Sequence, residues 1–356
     1  MARELMKGCE AIAESAVRAG CRFFAGYPIT PQNEIPEYFS RRMPEVGGMF
    51  VQGESEIASV NMLYGAGAGG TRCMTSSSSC GVALKSEGIS YLAAARFPSV
   101  ICSVMRGGPG CGDIKPAQQD YFQATKASGN GGFHTLVYAP ATVQETADIM
   151  PKAFDKADEY RYPVIVLVDG FIAVMMEPVE LPAMRSDEEV ASYKEANKSW
   201  SMLARDAGDQ RRILGLEYTA IMEQNLREEK MYDHWKKTEA LHEEYMLDDA
   251  EVVVTAYGTS ARIARSAVDA LRAEGHKVGL LRPITLYPFP TEAFEKLNYD
   301  KVKGILVAEM SIPAQYAEDV DHVVRRRTPI STVLSSGGVI LTRVEIIDAI
   351  RAIVNK

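Results

Sequence analysis

Four short stretches concentrate side chains able to do chemistry, and each follows an apolar run. Gly26-Tyr27-Pro28-Ile29-Thr30-Pro31-Gln32 offers a hydroxyl and two prolines. Pro31 suits the first position of a helix and Thr30 the N-cap before it, so the pair predicts a positive helix end at the mouth of a strand. Open α/β sheets bind ligands at such strand ends, and an anionic ligand fits here. Gln52-Gly53-Glu54-Ser55-Glu56-Ile57-Ala58-Ser59 sets two carboxylates at a second helix start. The helix dipole accounts for carboxylates in that position, and only one of the two needs another task. The helix that follows, with Asn61 and the run Gly65 to Gly70, is small enough for another backbone or a cofactor to come close. Thr75-Ser76-Ser77-Ser78-Ser79-Cys80-Gly81 supplies hydroxyls and backbone amides. Met105-Arg106-Gly107-Gly108-Pro109-Gly110-Cys111-Gly112-Asp113 sends an arginine into a glycine-rich loop. A guanidinium grips a carboxylate through two hydrogen bonds, and the glycines permit close approach. Each stretch alone is an ordinary turn. Their coincidence at four strand ends, presenting Thr30, Glu56, a serine loop and Arg106, points to a binding site.

The elements that must position these residues follow from the hydrophobic pattern. The 356 residues, 46% hydrophobic and 24% charged, have globular composition and length enough for two domains. Leu5, Cys9, Ile12, Ala16 and Ala19 share one helical face, and Gly20 stands where a helix stops. Strands are predicted at Cys21 to Ala25, Met49 to Gln52, Arg72 to Thr75, Ser99 to Met105, Thr135 to Tyr138 and Pro163 to Asp169, with helix-length segments between them. Val164-Ile165-Val166-Leu167-Val168 is apolar throughout, as a strand buried on both faces must be. The expected fold is α/β: a mostly parallel sheet with helices on both sides over residues 1–184. Residues 185–249 turn charged and helix-favouring, a helical arm or linker whose apolar members Trp200, Leu203, Ile213, Tyr218 and Trp235 predict one packed face. A second α/β unit occupies 250–356, opening with Glu251-Val252-Val253-Val254-Thr255 and closing with a helix from about Thr342.

Composition also excludes function classes. A formal charge of -8 supplies no basic field for nucleic acid. No apolar run approaches the ~20 residues of a membrane span, and no signal core is present, so a cytoplasmic location is expected. Cys9, Cys21, Cys73, Cys80, Cys102 and Cys111 form no Cys-x-x-Cys pair, which argues against zinc or an iron–sulfur cluster on this chain and for buried thiols. No metal site is expected. His134, His234, His242, His276 and His322 lack ligand spacing, and only His134 is expected near the site, without a catalytic task.

At these residues the chain resembles the 2-oxoacid:ferredoxin oxidoreductases, in particular their separate alpha-type subunits, nearest the 2-oxoisovalerate (3-methyl-2-oxobutanoate) branch and then the 2-oxoglutarate branch. Tyr27-Pro28-Ile29-Thr30-Pro31 matches the family's turn, Glu54-Ser55-Glu56-Ile57-Ala58 its thiamine-site helix, and Arg106-Gly107-Gly108-Pro109 its substrate loop. The match continues through Asp120-Tyr121-Phe122-Gln123-Ala124-Thr125-Lys126, Ala139-Pro140 and Asp169-Gly170-Phe171. Leu281-Arg282-Pro283-Ile284-Thr285-Leu286-Tyr287-Pro288-Phe289-Pro290 looks like the family's transketolase-C-terminal-type domain. The resemblance implies a pyrimidine-type thiamine-diphosphate-binding domain with a parallel sheet, followed by that C-terminal-like α/β domain.

It further implies a split site. By the resemblance a beta-type subunit would bind the diphosphate and magnesium, and the lack of a Gly-Asp-Gly metal signature followed by asparagines here fits that division. Gamma-type and ferredoxin-like iron–sulfur subunits would complete the complex, external ferredoxin would take the electrons, and coenzyme A would take the acyl group. By the resemblance Glu56 is catalytic, hydrogen-bonding the aminopyrimidine and favouring its imino tautomer. Thr30 and Arg106 hold the substrate carboxylate and its neighbouring oxygen, while Tyr27, Pro28, Ile29, Glu56, Ser78 and Ser79 line the cofactor. Cys80 departs from the family, whose members usually carry proline there, and is read as an inert loop thiol. A 2-oxoglutarate substrate would need a second cation, from Lys126 or Lys115. Transketolase-like carbon–carbon transfer is disfavoured by the missing metal signature. A catalytically silent assembly subunit is disfavoured by the retention of Thr30, Glu56 and Arg106.

Overall fold

The computed structural model describes residues 3–202 and 221–355. In chain order the strands are β1 Glu4–Lys7, β2 Phe23–Gly26, β3 Met49–Gln52, β4 Cys73–Ser77, β5 Ser99–Gly107, β6 Asp113–Pro116, β7 Leu136–Tyr138, β8 Pro163–Asp169 and β9 Met176–Val179. After the arm come β10 His242–Tyr245, β11 Val252–Thr255, β12 Val278–Pro283, β13 Thr285–Tyr287, β14 Gly304–Glu309 and β15 Ile330–Leu334. The main sheet runs β13-β7-β8-β5-β4-β2-β3, parallel except where β13 joins β7, with β6 folded back on β5. The second sheet runs β10-β12-β11-β14-β15, parallel except for β10. Among the described residues β1 pairs only with β9, antiparallel.

Burial on both faces explains the uninterrupted apolar strands. Along β5 and β8, Cys102, Val104, Val164, Val166 and Val168 enter one core with the helices Gly8–Arg18, Glu34–Glu45 and Val143–Tyr160. Ile101, Met105, Ile165 and Leu167 enter a second core with the helices Glu56–Ala68 and Cys80–Ala95. This is the strand period of two, read against helices on each side.

The predicted strands recur, β3 and β8 at the expected bounds. Gly20, just past the first helix, has φ +91°, the conformation expected of its stop. Leu5 does not lie on that helix. It belongs to β1 and is 66% exposed, because pairing with β9 takes the backbone before the helix begins at Gly8.

In the arm, Trp235 and Tyr232 are buried in the first core, and Trp200 stacks on Phe97 with ring centroids 6.2 Å apart. Leu203, Ile213 and Tyr218 lie outside the described residues. β10, inside the segment read as arm, is hydrogen-bonded to β12 of the second sheet.

The two α/β units are latched through buried polar groups. Asp169 accepts from the Thr259 amide at 2.7 Å and its hydroxyl at 2.6 Å. Gln118 donates to the Tyr257 carbonyl at 2.8 Å and accepts from Ser260 and the Met310 amide. Gly258, at φ +55°, carries no Cβ where one would sit 2.5 Å from an Asp169 oxygen. No helix among the described residues is long and apolar enough to cross a membrane.

Candidate functional site

The chain reverses its winding at β2 and β4. The helix after β2 buries Ile35, Phe39 and Met43 in the first core, whereas the helix after β4 buries Val82, Ile89 and Leu92 in the second. Diverging helices open a crevice at the carboxyl ends of two adjacent strands, the switch point at which open α/β sheets take ligands. The loops after β2, β3, β4 and β5 meet round it.

The loop after β2 is built differently from its sequence expectation. The helix begins at Glu34 with Asn33 as cap, so Thr30 is not an N-cap and Pro31 not a first helical residue. The Thr30-Pro31 peptide is cis, and Gln32 is drawn inward, where it accepts from the Ser76 hydroxyl at 2.5 Å. Thr30 instead presents its carbonyl to Arg106 Nη1 at 2.8 Å, and its hydroxyl accepts from Asn33 at 3.3 Å. Tyr27 and Ile29 are half-buried and Pro28 exposed at the lip of this loop.

Arg106 is 4% exposed at the end of β5. Besides Thr30, its Nη2 donates to the Cys111 carbonyl at 2.9 Å and contacts Cys80 Sγ at 3.1 Å and Cys111 Sγ at 3.6 Å. Its Nε is buried without a partner, and no described carboxylate pairs with it. A buried guanidinium bonded only to neutral groups is poised for an anion. Cys80, read as an inert loop thiol, lies against Arg106. Cys9, Cys21, Cys73 and Cys102 are the buried thiols expected.

Ser79 occupies φ 33°, a strained conformation at the start of the helix Cys80–Ala95. Its hydroxyl donates to Asp120 Oδ2 at 2.5 Å and accepts from the Arg106 amide at 3.0 Å. Burial pushes the Asp120 carboxyl up to about 6, against the pull of Ser79 and Arg106. The Ser77 and Ser78 hydroxyls are buried and unpartnered.

Glu56 opens its helix behind the Ser55 cap, which accepts from the Ala58 amide at 3.1 Å. It is 6% exposed, and no described group donates a hydrogen bond to its carboxylate. Oε1 lies where a Cβ on Gly81 would be 2.5 Å away. Since Cys80 touches Arg106 and Gly81 faces Glu56, the two charged residues flank the first turn of one helix.

His134 is elsewhere. It precedes β7, at the amino edge of the sheet, stacked on Tyr287 at 4.1 Å. Lys126 pairs with Asp319 at 2.6 Å, and exposed Lys115 lies 3.7 Å from Asp113. Sequence reasoning missed Lys85, fully buried behind Glu56, and gave Asp120 no task. A single lysine in the small and apolar helix Cys80–Ala95 was the available signal for the first.

A parallel sheet with ligand loops at its carboxyl edge, latched to a second α/β unit, defines the architecture of transketolase-type thiamine proteins. A split gene transketolase has this fold at a TM-score of 0.61 and 15% identity, covering 98% of both chains. The chain belongs to the pyruvate flavodoxin/ferredoxin oxidoreductase family. The family model described as "Pyruvate flavodoxin/ferredoxin oxidoreductase, thiamine diP-bdg" matches residues 14–246, and "Pyruvate:ferredoxin oxidoreductase core domain II" matches 250–346. Ketoisovalerate oxidoreductase subunit VorB of Methanothermobacter thermautotrophicus is 45% identical, over 90% of this chain and 89% of that protein. 2-Oxoglutarate synthase subunit KorA of Methanocaldococcus jannaschii is 33% identical, over 94% and 95%. A solved 2-oxoglutarate:ferredoxin oxidoreductase of Magnetococcus marinus, with 2-oxoglutarate, coenzyme A and succinyl-CoA bound, superposes at a TM-score of 0.85 and 26% identity. It covers 99% of this chain, which spans 65% of its length. The thiamine-binding fold and the 2-oxoacid oxidoreductase family inferred from the motifs are both present.

Proposed function

We propose that this chain is the alpha-type subunit of a complex that converts a branched-chain 2-oxoacid and coenzyme A to acyl-CoA and carbon dioxide, passing two electrons to ferredoxin. The observation that carries the reading is the buried Arg106, whose Nε has no partner and whose other nitrogens hold only neutral groups. A 2-oxoacid carboxylate supplies what it lacks.

The residues suit thiamine diphosphate. Glu56 offers a buried carboxylate to which no described group donates a hydrogen bond, the unpartnered Ser77 hydroxyl lies at the same point of Gly81, the Ser78 hydroxyl is also unpartnered, and Gly81 leaves room where a side chain would intrude. Thiamine diphosphate, when bound, supplies the nucleophilic carbon and the electron sink. Glu56 would hold a proton at its carboxyl oxygen against the aminopyrimidine nitrogen, and sheltering from water keeps that bond short and directed. Tyr27, Pro28, Ile29, Ser78 and Ser79 would line the ring. Arg106 would fix the substrate carboxylate, with Thr30 orienting the guanidinium through its carbonyl and offering its hydroxyl to the neighbouring oxygen. A beta-type subunit would hold the diphosphate and magnesium, and gamma-type and iron–sulfur subunits would carry the electrons onward to ferredoxin.

Two observations favour a branched substrate over 2-oxoglutarate. Lys126 and Lys115, the cations considered for a second carboxylate, face Asp319 and Asp113. The ketoisovalerate subunit is also more similar than the 2-oxoglutarate one. The purified complex should reduce viologen fastest, by kcat/KM, with branched 2-oxoacids, and only with coenzyme A and thiamine diphosphate present. Greater efficiency with 2-oxoglutarate would overturn the substrate assignment. A Glu56→Gln complex that turns over normally would overturn the role of Glu56.

A further inference from the structure

Lys85 is completely buried in the helix Cys80–Ala95, four residues after Gly81 and therefore on the same helix face. Gly81 lies beside the Glu56 carboxylate, and Lys85 lies beside the Glu56 backbone. Its ammonium donates to Ser59 Oγ at 2.6 Å, to Thr75 Oγ1 at 3.0 Å and to the Glu56 carbonyl at 3.4 Å. Those three acceptors use its three N–H groups, and all are neutral. No described carboxylate lies within ion-pair distance of it. Three neutral hydrogen bonds do not compensate a fully buried ammonium, which requires an opposing charge.

We infer that Lys85 is a positioning residue for Glu56, pinning the first turn of the helix Glu56–Ala68 and setting the charge that its carboxylate feels from the protein side. The inference rests on Glu56 serving the thiamine pyrimidine as proposed above. The bonds form a continuous brace. Ser59 Oγ also donates to the Glu56 carbonyl at 3.0 Å, and Thr75 Oγ1 donates to the Ala25 carbonyl at 2.6 Å. Lys85 thus ties the turn bearing Glu56 to β4, and through Thr75 to β2, whose loop carries Thr30.

Glu56 is the ionisable side chain whose charge acts on Lys85, and the facing groups from the neighbouring helix and from β4, Ser59 and Thr75, are neutral. Burial lowers the ammonium to about 7, while the Glu56 carboxylate works to keep it charged.

The test is a cycle of Lys85→Met, Glu56→Gln and the double variant in the assembled complex. Lys85→Met should lower kcat about tenfold or more with KM for the 2-oxoacid changed less than about threefold. In the Glu56→Gln background the same change should cost less than about twofold. A second readout is independent of turnover. Thiamine diphosphate affinity of the cofactor-free complex, measured by titration calorimetry, should vary through pH ~7 in wild type and flatten in Lys85→Met. Equal losses in both backgrounds, or an unchanged pH dependence, would show a merely structural lysine and overturn the inference. Should Lys85→Met fail to assemble, Ser59→Ala removes the 2.6 Å acceptor and keeps the amine, with the same background dependence expected. Normal turnover in Glu56→Gln alone would remove the reading of Glu56 itself. Impaired Glu56→Gln beside normal Lys85→Met would overturn only the role of Lys85.

Discussion

Gly81→Ala puts one methyl group against the proposed catalytic carboxylate. By helix propensity alone the change should stabilise, since alanine exceeds glycine by about 1 kcal/mol in a helix. Here the new Cβ would press closest on Ser77 Oγ and would sit 2.5 Å from Glu56 Oε1 and 3.1 Å from its carboxyl carbon, while ordinary contact begins near 3.4 Å. Relief requires the Ser77 hydroxyl to turn away and the carboxylate to retreat by the difference between 3.4 and 2.5 Å, about 0.9 Å. Overpacking of this kind costs about 1–3 kcal/mol, so with the propensity gain set against it the net loss is about 0–2 kcal/mol. A displacement near 1 Å at a reacting group costs on the order of 10²-fold in rate. The complex should therefore melt within a few degrees of wild type and yet lose about 30- to 100-fold in kcat for viologen reduction. A raised melting temperature with kcat within about threefold of wild type would refute the placement of Glu56 against this turn.

Other substitutions probe the remaining groups. Arg106→Lys forfeits the planar fork held by Thr30 and Cys111, and losing two charge-assisted bonds of about 1.5 kcal/mol each should lower kcat/KM about 100-fold; unchanged kcat/KM would remove the arginine from substrate binding. Lys126→Ala breaks a half-exposed pair with Asp319, so stability should fall by less than about 1 kcal/mol and the ranking of 2-oxoacids should hold; selective loss of dicarboxylic substrates would place Lys126 in the pocket. Asp120 has a folded pKa raised to about 6, so its stabilising contribution is fully present below the unfolded value and is lost as pH rises through 6. Across about pH 4 to 6 wild type should thus lose up to about 2 kcal/mol that Asp120→Asn does not, and parallel melting-temperature profiles would contradict the shift.

The fold was legible where one local property decided it. β8 and β3 announce themselves because a strand covered on both faces, or paired in a parallel sheet, selects a short apolar run with turn residues at its ends. Gly20 was legible because a helix stop with positive φ favours glycine. Features set by distant partners were not. Pro31 reads as a helix start until Ser76 on another strand draws Gln32 inward. Leu5 continues a helical pattern until β9 captures its backbone, and β10 looks like charged arm until β12 pairs with it. At the site, Glu56 and Arg106 stood out by residue type at a strand end. Lys85 did not, because its burial depends on Ser59 and Thr75, which the sequence places on other elements.

The second domain reaches the site without touching Glu56 or Arg106. Its Gln315 accepts from the Phe122 amide at 2.9 Å and donates to the Gln119 carbonyl at 2.7 Å, while Asp319 accepts from the Tyr121 hydroxyl at 2.5 Å. These bonds clamp the segment on either side of Asp120. Asp120 in turn holds Ser79, and Ser79 holds the Arg106 amide. A strained serine and a buried arginine are costly alone, and such geometry persists where surrounding structure over-determines it. The clamp supplies that constraint from outside, while among the described residues Arg106 Nε and the Ser77 and Ser78 hydroxyls have no hydrogen-bond partner and none donates to the Glu56 carboxylate. The C-terminal domain therefore serves the site as scaffolding. Loosening Gln315 or Asp319 should reach catalysis through the position of Arg106, raising KM for the 2-oxoacid before it alters anything at Glu56.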